Sequence, residues 1–401
     1  MTAGDQNIIK SSSWKWTGLA VFALGVFWVL GYNLILGYGI LSNDSHYYLR
    51  HGIGIQEHGF SHIARVKLPF YYWFLPTILA TLRTLFGEAW KEGYLTLQCL
   101  SSGAFFLGCY RLAEHLRGWK AGLIAVGFAL VCNEYLSWSR YVLTDILFSA
   151  IALWFVYALL RQETLAWKDT GLWIGVFFLL FFVTIARPVG FLYPFAISIY
   201  LFQKVVRKAE RQWKVAVALA LLLMVAAGAF VIALLWDDYG LQRYLNVFVE
   251  FFRDGVVIKN RPVYNLPAEV FVNGNVWAKI VFVSEVVLFR CVTFWNPFII
   301  GYSIPHLVFN GLTLFPMFVL SLYAFVRNFR GQFLALLAIL FSVTLFHAFT
   351  LVDYDHRYRV PLLGFVLVLA GIGLLDLLAD LRKLGCKQSA SVKNEPEESA
   401  S

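Results

Sequence analysis

The sequence predicts an all-α polytopic membrane protein with about ten transmembrane helices and additional interfacial helices in its outer loops. Three observations predict it. Of the 401 residues, 60% are hydrophobic and 14% charged, against roughly 25% charged in soluble domains, and the mean hydropathy is +0.68. Long apolar runs follow one another along the chain, and so many can be buried together only where lipid replaces water as their solvent. Clusters of Lys and Arg punctuate alternate gaps between the runs, as the positive-inside rule requires of cytoplasmic loops. A water-soluble globule is excluded.

Residues 1–13 are polar and form a cytoplasmic N-terminus, with Lys10 and Lys15 flanking the first span at 14–40. No small-residue cleavage site follows that span, so it is expected to remain as an uncleaved helix. The remaining spans are expected at 94–112, 120–137, 143–160, 171–186, 188–203, 214–236, 306–326, 331–351 and 360–380. The inner loops then carry Arg111, Arg117 and Lys120; Arg161 and Lys168; the Lys204–Lys214 cluster; Arg327 and Arg330; and Arg382, Lys383 and Lys387. Two apolar stretches remain, 69–86 and 276–300. Counting the first alone would move the 204–214 cluster outside, and counting both would invert every basic loop between them. The stretch 69–86 is broken by Pro69 and Pro76 and punctuated by Arg83, so it is expected to lie as a helix in the outer interface. The transmembrane domain runs over 14–384, with outer loops 41–93 and 237–305 and short outer turns at 138–145, 186–188 and 352–359. The tail 385–401 is polar and lacks aromatics, which predicts a disordered cytoplasmic segment.

Five cysteines lie mostly within apolar runs at spacings that make neither a disulfide framework nor a zinc pattern. The net charge of +9 is spread over many loops, so it points to topology and an anionic ligand and not to nucleic acid. No P-loop, dinucleotide glycine fingerprint or metal-ligand spacing occurs, which disfavours a cytosolic nucleotide donor.

The unusual chemistry sits in the outer segments. The first loop opens with LSNDSHYYLRHGIGIQEHGF, placing Asp44 just past the membrane exit, ahead of His46, Tyr47, Tyr48 and Arg50. A carboxylate there has the chemistry of a general base or of an anchor for a sugar hydroxyl; a solvated acid that merely ends a helix is the alternative. Asp145, in SRYVLTDILFSA, falls on the same face at the start of a span, where an acid is costly without a partner or a task. Arg140, just upstream, is the partner the sequence offers, and a simple cap after Thr144 is the other reading. Lys67 precedes the aromatic LPFYYW, either as a ligand-binding cation or as a snorkelling one. Arg187 in TIARPVG, and His356, Arg357 and Arg359 in DYDHRYRVP, stand at the outer headgroup level against the positive-inside trend. Several guanidiniums there suit a phosphate, which accepts several charge-assisted hydrogen bonds at once; a lipid headgroup or a loop carboxylate would also satisfy them. The charged residues Asp237, Asp238, Arg243, Arg253, Lys259 and Arg261 of the second loop have no sharp assignment.

In order and sidedness these segments resemble the GT-C-fold polytopic glycosyltransferases that use polyprenyl-phosphate sugars, a group that includes protein O-mannosyltransferases and lipid A aminoarabinose transferases. The resemblance rests on Asp44 with Tyr47 and Tyr48, on KLPFYYW from Lys67 to Trp73, on the basic turn RLAEHLRGWKAG and on RYVLTDILF with Asp145, together with ARPVG at Arg187 and HRYRVP at His356 to Pro361. It extends over about 14 to 380. It implies that Asp44 is the principal catalytic carboxylate, that Asp145 helps form the site, and that Lys67 holds the donor phosphate. Arg187, Arg357 and Arg359 are further phosphate candidates, and Tyr48, Arg140 and His356 complete the expected substrate-binding set. The family often has two adjacent acids in this loop, whereas here Ser45 follows Asp44.

The implied activity is an inverting, metal-independent transfer of a sugar to a lipid, glycan or protein acceptor on the outer face of the membrane; the compact loops and short tails point to a bacterial plasma membrane, with the endoplasmic reticulum the alternative if the outer face is lumenal. No cofactor is expected beyond the polyprenyl-phosphate sugar itself, and the expected partners are that donor, the acceptor and membrane lipids. A transporter or flippase of lipid-linked saccharides is the alternative, but it needs polar groups near the bilayer midplane, and most span centres here have none. An acyltransferase would call on a His/Asp pair, for which His51, His58, His62 and His356 are available.

Overall fold

The computed structural model describes residues 3–68, 72–162, 170–194, 256–258, 261–264, 275–298, 303–329, 331–350 and 357–392. Those residues are almost wholly helical. In chain order the helices are α1 (Ala3–Leu36), α2 (Asn43–His58), α3 (Ser61–Val66), α4 (Phe74–Phe86), α5 (Trp90–Arg117), α6 (Trp119–Val131), α7 (Asn133–Trp138), α8 (Asp145–Gln162), α9 (Thr170–Ala186), α10 (Val276–Trp295), α11 (Ile304–Arg327), α12 (Phe333–Thr350) and α13 (Val360–Val392). Three segments among them are long and apolar enough to cross a membrane: Trp16–Leu36, Ile304–Arg327 and Arg357–Leu384. At 1.5 Å per residue each reaches about 30 Å or more, the thickness of a hydrocarbon core. The chain is a helical membrane protein.

Several expected boundaries move. The stretch 120–137 is two helices, because α6 ends at Cys132 (ψ 83°) and α7 restarts at Asn133. The expected 188–203 span opens with a 3-10 turn at Pro188–Phe191; 195–203 and the whole of 214–236 lie outside the described residues. The α13 helix continues to Val392, into the stretch expected to be disordered, because extending a formed helix avoids the cost of nucleating one. In the segment expected to form the second outer loop, Val256–Ile258 pairs antiparallel with Arg261–Tyr264 as a two-stranded hairpin, a local departure from an all-helical chain.

The two leftover apolar stretches both contain helices. At 13 residues α4 spans only about 20 Å, too short to cross, and it buries Leu75, Leu79 and Ala80. The α10 helix is capped by the Asn275 side chain, which accepts from the Ala278 N–H at 2.8 Å. Near its other end, Arg290 donates to the Ala348 carbonyl (3.0 Å) and Trp295 Nε1 donates to Thr344 Oγ1 (3.1 Å), so α10 runs antiparallel to α12.

The bundle is organised around α5 and α13, which share one core with α1, α6, α8, α11 and α12. Small residues set the spacing, as they do between helices in lipid. A Cβ at Gly373 of α13 would overlap the Leu320 carbonyl of α11, and one at Gly371 would stand 2.8 Å from the Ala121 carbonyl of α6.

Candidate functional site

The segment that reads as a loop around Asp44 is the start of α2. Ser42 Oγ accepts from the Ser45 N–H at 3.3 Å while Ser45 Oγ accepts from the Ser42 N–H at 3.0 Å, a reciprocal box that fixes the first turn. Asp44 therefore stands at the helix N-terminus, where the macrodipole favours an anion. The strand-like segment before it is tied to the α7–α8 connection: Ile40 N–H donates to the Arg140 carbonyl and Val142 N–H to the Ile40 carbonyl, both at 3.0 Å. From below, the Tyr94 hydroxyl donates to the Leu143 carbonyl and Gln98 Nε2 to the Tyr141 carbonyl, both at 2.6 Å. These bonds carry Asp44 and Asp145, distant in sequence, to one place.

A chain of alternating charges results. Arg187 Nη1 donates to Asp145 Oδ1, Arg357 Nε donates to Asp145 Oδ2 at 3.2 Å, and Arg357 Nη1 donates to Asp44 Oδ2. Exposure grades along it: the Asp145 side chain is 0% exposed, those of Arg187 and Arg357 are 8% and 7%, and that of Asp44 is 52%. The Tyr358 ring lies 6.0 Å from the Arg187 guanidinium and 5.8 Å from that of Arg357, close enough for both cations to gain from its π face. Tyr48 is buried beside the chain. Burial raises its phenol pKa above the usual range, and the two arginines pull it in the opposite direction.

Other expected site residues are placed differently. Arg140 turns to the C-terminus of α1, donating to the Gly37 carbonyl (3.0 Å) and to that of Leu36, and so caps carbonyls a helix end leaves open. The partners of Asp145 are Arg187 and Arg357 instead. Lys67 closes α3 in the left-handed region (φ 48°), is exposed, and makes no ion pair with Asp44 or Asp145. Its segment nevertheless approaches the site: the Tyr72 ring lies 6.1 Å from those of Tyr47 and Tyr48. His356 lies outside the described residues, as do Asp237, Asp238, Arg243, Arg253 and Lys259. Among the described residues no three His, Cys, Asp or Glu side chains gather in a way that could hold a metal ion.

Arg359 forms a second, separate knot. Its Nε donates to Glu134 Oε2 (2.7 Å) and its Nη2 to Glu134 Oε1, while Nη1 reaches the carbonyls of Phe294 and Asn296, both at 2.9 Å. The side chain is 0% exposed. This joins α7, the end of α10 and the turn that carries Arg357. Glu134 is inconspicuous in the sequence because it lies inside the 120–137 apolar run. The available signal was an Asn–Glu pair within a span, since an ionised acid in such a run needs a partner.

What this arrangement can do follows from its exposure gradient. Asp44 leaves one carboxylate oxygen half open to its surroundings while Arg357 holds the other, so it can accept a proton from a group bound above it. The two guanidiniums are rooted on a buried carboxylate, which holds their N–H donors in place, while Asp44 and Asp145 balance them in formal charge. No protein-family model matches the chain, and no curated protein matches it.

Proposed function

We propose that the protein is an integral-membrane glycosyltransferase of GT-C-like architecture, with about ten spans, that moves a sugar from a polyprenyl-phosphate carrier to a lipid, glycan or protein acceptor on the outer face of a bacterial plasma membrane. The observation that carries the proposal is the Asp44–Arg357–Asp145–Arg187 chain, which sets a half-exposed carboxylate beside two rooted guanidiniums. In the proposed reaction Asp44 deprotonates the acceptor hydroxyl or amine, whose lone pair attacks the anomeric carbon as the bond to the lipid phosphate breaks on the opposite face. Arg187 and Arg357 stabilise the negative charge that develops on the leaving phosphate. Removing one such donor typically costs on the order of 10²-fold in rate. Lys67, exposed at the end of α3, serves in this scheme as a further cation for the same phosphate. The transfer is metal-independent in this scheme, and Arg359 has no part in ligand contact.

The test is release of free polyprenyl phosphate from a panel of polyprenyl-phosphate sugars by the protein in nanodiscs, with membrane extract supplying the acceptor. Release that requires the extract and is lost in Asp44→Asn is the expected result. A folded protein that releases none from any donor would overturn the proposal in favour of transport.

A further inference from the structure

At the end of the bundle away from the acid–arginine chain, a cleft of about 590 Å³ opens between α6 and α13. Asp376 on its wall is about 24 Å along α13 from the start of that helix. Three cations line it: Arg117, Lys120 and Arg382. Asp376 is its single carboxylate and is already engaged, accepting from Arg117 Nε (2.9 Å) and Nη2 (2.5 Å) and from Asn328 Nδ2 (2.9 Å), with its side chain only 1% exposed. Lys120 and Arg382 make no ion pair among the described residues; the ammonium of Lys120 lies 5.7 Å from the Trp119 ring centroid. The wall between these charges is apolar and bare, with Trp119, Leu123 and Leu378 all exposed.

We infer that this cleft is a binding site for one anionic phospholipid. Lys120 and Arg382 are exposed and make no ion pair among the described residues, so both are open to an anion, and a basic pocket between membrane helices has the chemistry to hold a phosphodiester headgroup. A small soluble phosphate would satisfy the charges without touching Trp119, Leu123 and Leu378, which in a membrane protein are turned towards lipid. A two-chain lipid covers them with its acyl chains while its headgroup meets Lys120, Arg382 and the outer edge of Arg117. Tryptophan beside lysine is also the pairing favoured at the headgroup level of a bilayer. The site is independent of the transferase reading, since it shares no residue with the acid–arginine chain.

The test is native mass spectrometry of the intact protein in micelles, titrated with phosphatidylglycerol or with phosphatidylcholine of the same acyl chains. Each surface cation contributes roughly fivefold to the binding of an anionic lipid. Wild type is therefore expected to retain one phosphatidylglycerol in preference to phosphatidylcholine, and the Lys120→Gln/Arg382→Gln double variant to lose about 30-fold of that preference. The charge-preserving Lys120→Arg/Arg382→Lys variant should keep most of it, and Lys91→Gln at the other end of the bundle all of it, which separates loss of the site from loss of folding. Equal binding of the two lipids by wild type, or an unchanged preference in the double variant, would overturn the inference. Displacement of the bound lipid by millimolar glycerol phosphate would overturn the lipid assignment and leave a free-phosphate site.

Discussion

Asp145→Asn separates a structural from a chemical carboxylate. Asp145 is fully buried and accepts from two guanidiniums, each less than a tenth exposed. Asparagine keeps the shape and one carbonyl acceptor, but its amide turns a donor towards one of the two arginines, setting donor against donor. Removing one partner of a buried ion pair destabilises by about 3–5 kcal/mol, chiefly through the charge left behind. Arg357 retains Asp44 after the change, so the expected loss is at the lower end, about 3 kcal/mol. The companion Asp44→Asn removes a carboxylate that is half in solvent, where screening leaves about 0–1 kcal/mol. Both variants are to be unfolded by denaturing-detergent titration in one micelle, with thermal scans at a single rate as the second readout. Asp145→Asn is expected to unfold well before wild type and before Asp44→Asn. Combining it with Arg187→Met, which removes the stranded charge, should restore a large part of the loss. If Asp145→Asn is as stable as Asp44→Asn, Asp145 is not the root of the cluster.

The other expectations concern different parts of the molecule. Asp44→Asn should fold normally and bind the lipid donor while turnover falls by on the order of 10²-fold or more; near-normal release of polyprenyl phosphate would remove Asp44 from the chemistry. Glu134→Gln leaves buried Arg359 without its counter-charge and should destabilise by about 3 kcal/mol, with kcat falling through misplacement of Arg357 while donor affinity changes little; a shift confined to affinity would place Arg359 at the ligand after all. Burial, the neighbouring His62 and Arg50 together hold the His51 imidazole below its ordinary pKa of 6.5. The unfolded segment then binds more protons in the window just below 6.5, so the α2–α3 contact is intact above that pH and weakens as pH falls through it. Hydrogen exchange over α2 and α3, corrected for intrinsic rates, should show faster opening at pH 5.5 than at pH 7.5, and His51→Gln should flatten the difference. Gly373→Ala places a methyl against the Leu320 carbonyl and should push α11 from α13, lowering the unfolding temperature by several degrees; an unchanged temperature would mean that the two helices are not in fixed contact.

The helical membrane class was legible because burying long apolar runs leaves few alternatives. Charges at span edges, outside the basic clusters that the positive-inside pattern explains, also single out Asp44, Asp145, Arg187 and Arg357, which the structure brings into one chain. What the sequence hid was pairing. Arg140 is close to Asp145 along the chain, but the turn at 141–144 carries it to the end of α1, while the true partners come from Arg187 and Arg357. The α2 helix is hard to recognise in the sequence because its buried face is made mostly of polar and small residues, Ser45, Tyr48, His51, Gly52 and Gly54, and its box uses Ser45 where a glutamate is usual. Glu134 was invisible for the opposite reason, since a single acid in an apolar run looks like a span end until Arg359 is known to face it.

The arginines of the RYR turn illustrate how one short segment serves two purposes. Arg357 and Arg359 are separated by a single residue in a 3-10 turn, so their side chains leave in different directions. Arg359 points into the protein, where Glu134 and two backbone carbonyls take up four of its five N–H donors, and so buried and engaged a guanidinium has little capacity to answer a ligand. Arg357 points to the boundary, where it links a buried carboxylate to a half-exposed one. Anchoring the inner arginine thereby fixes the backbone that aims the outer one. A loop arginine free to move would pair with any passing phosphate at the expense of its own ordering entropy; one held on both sides before the ligand arrives has already lost that freedom on folding. On this argument Glu134 acts on the chemistry only through position, and Glu134→Asp, which shortens the reach to Arg359 without removing the charge, should lower turnover more than it lowers stability.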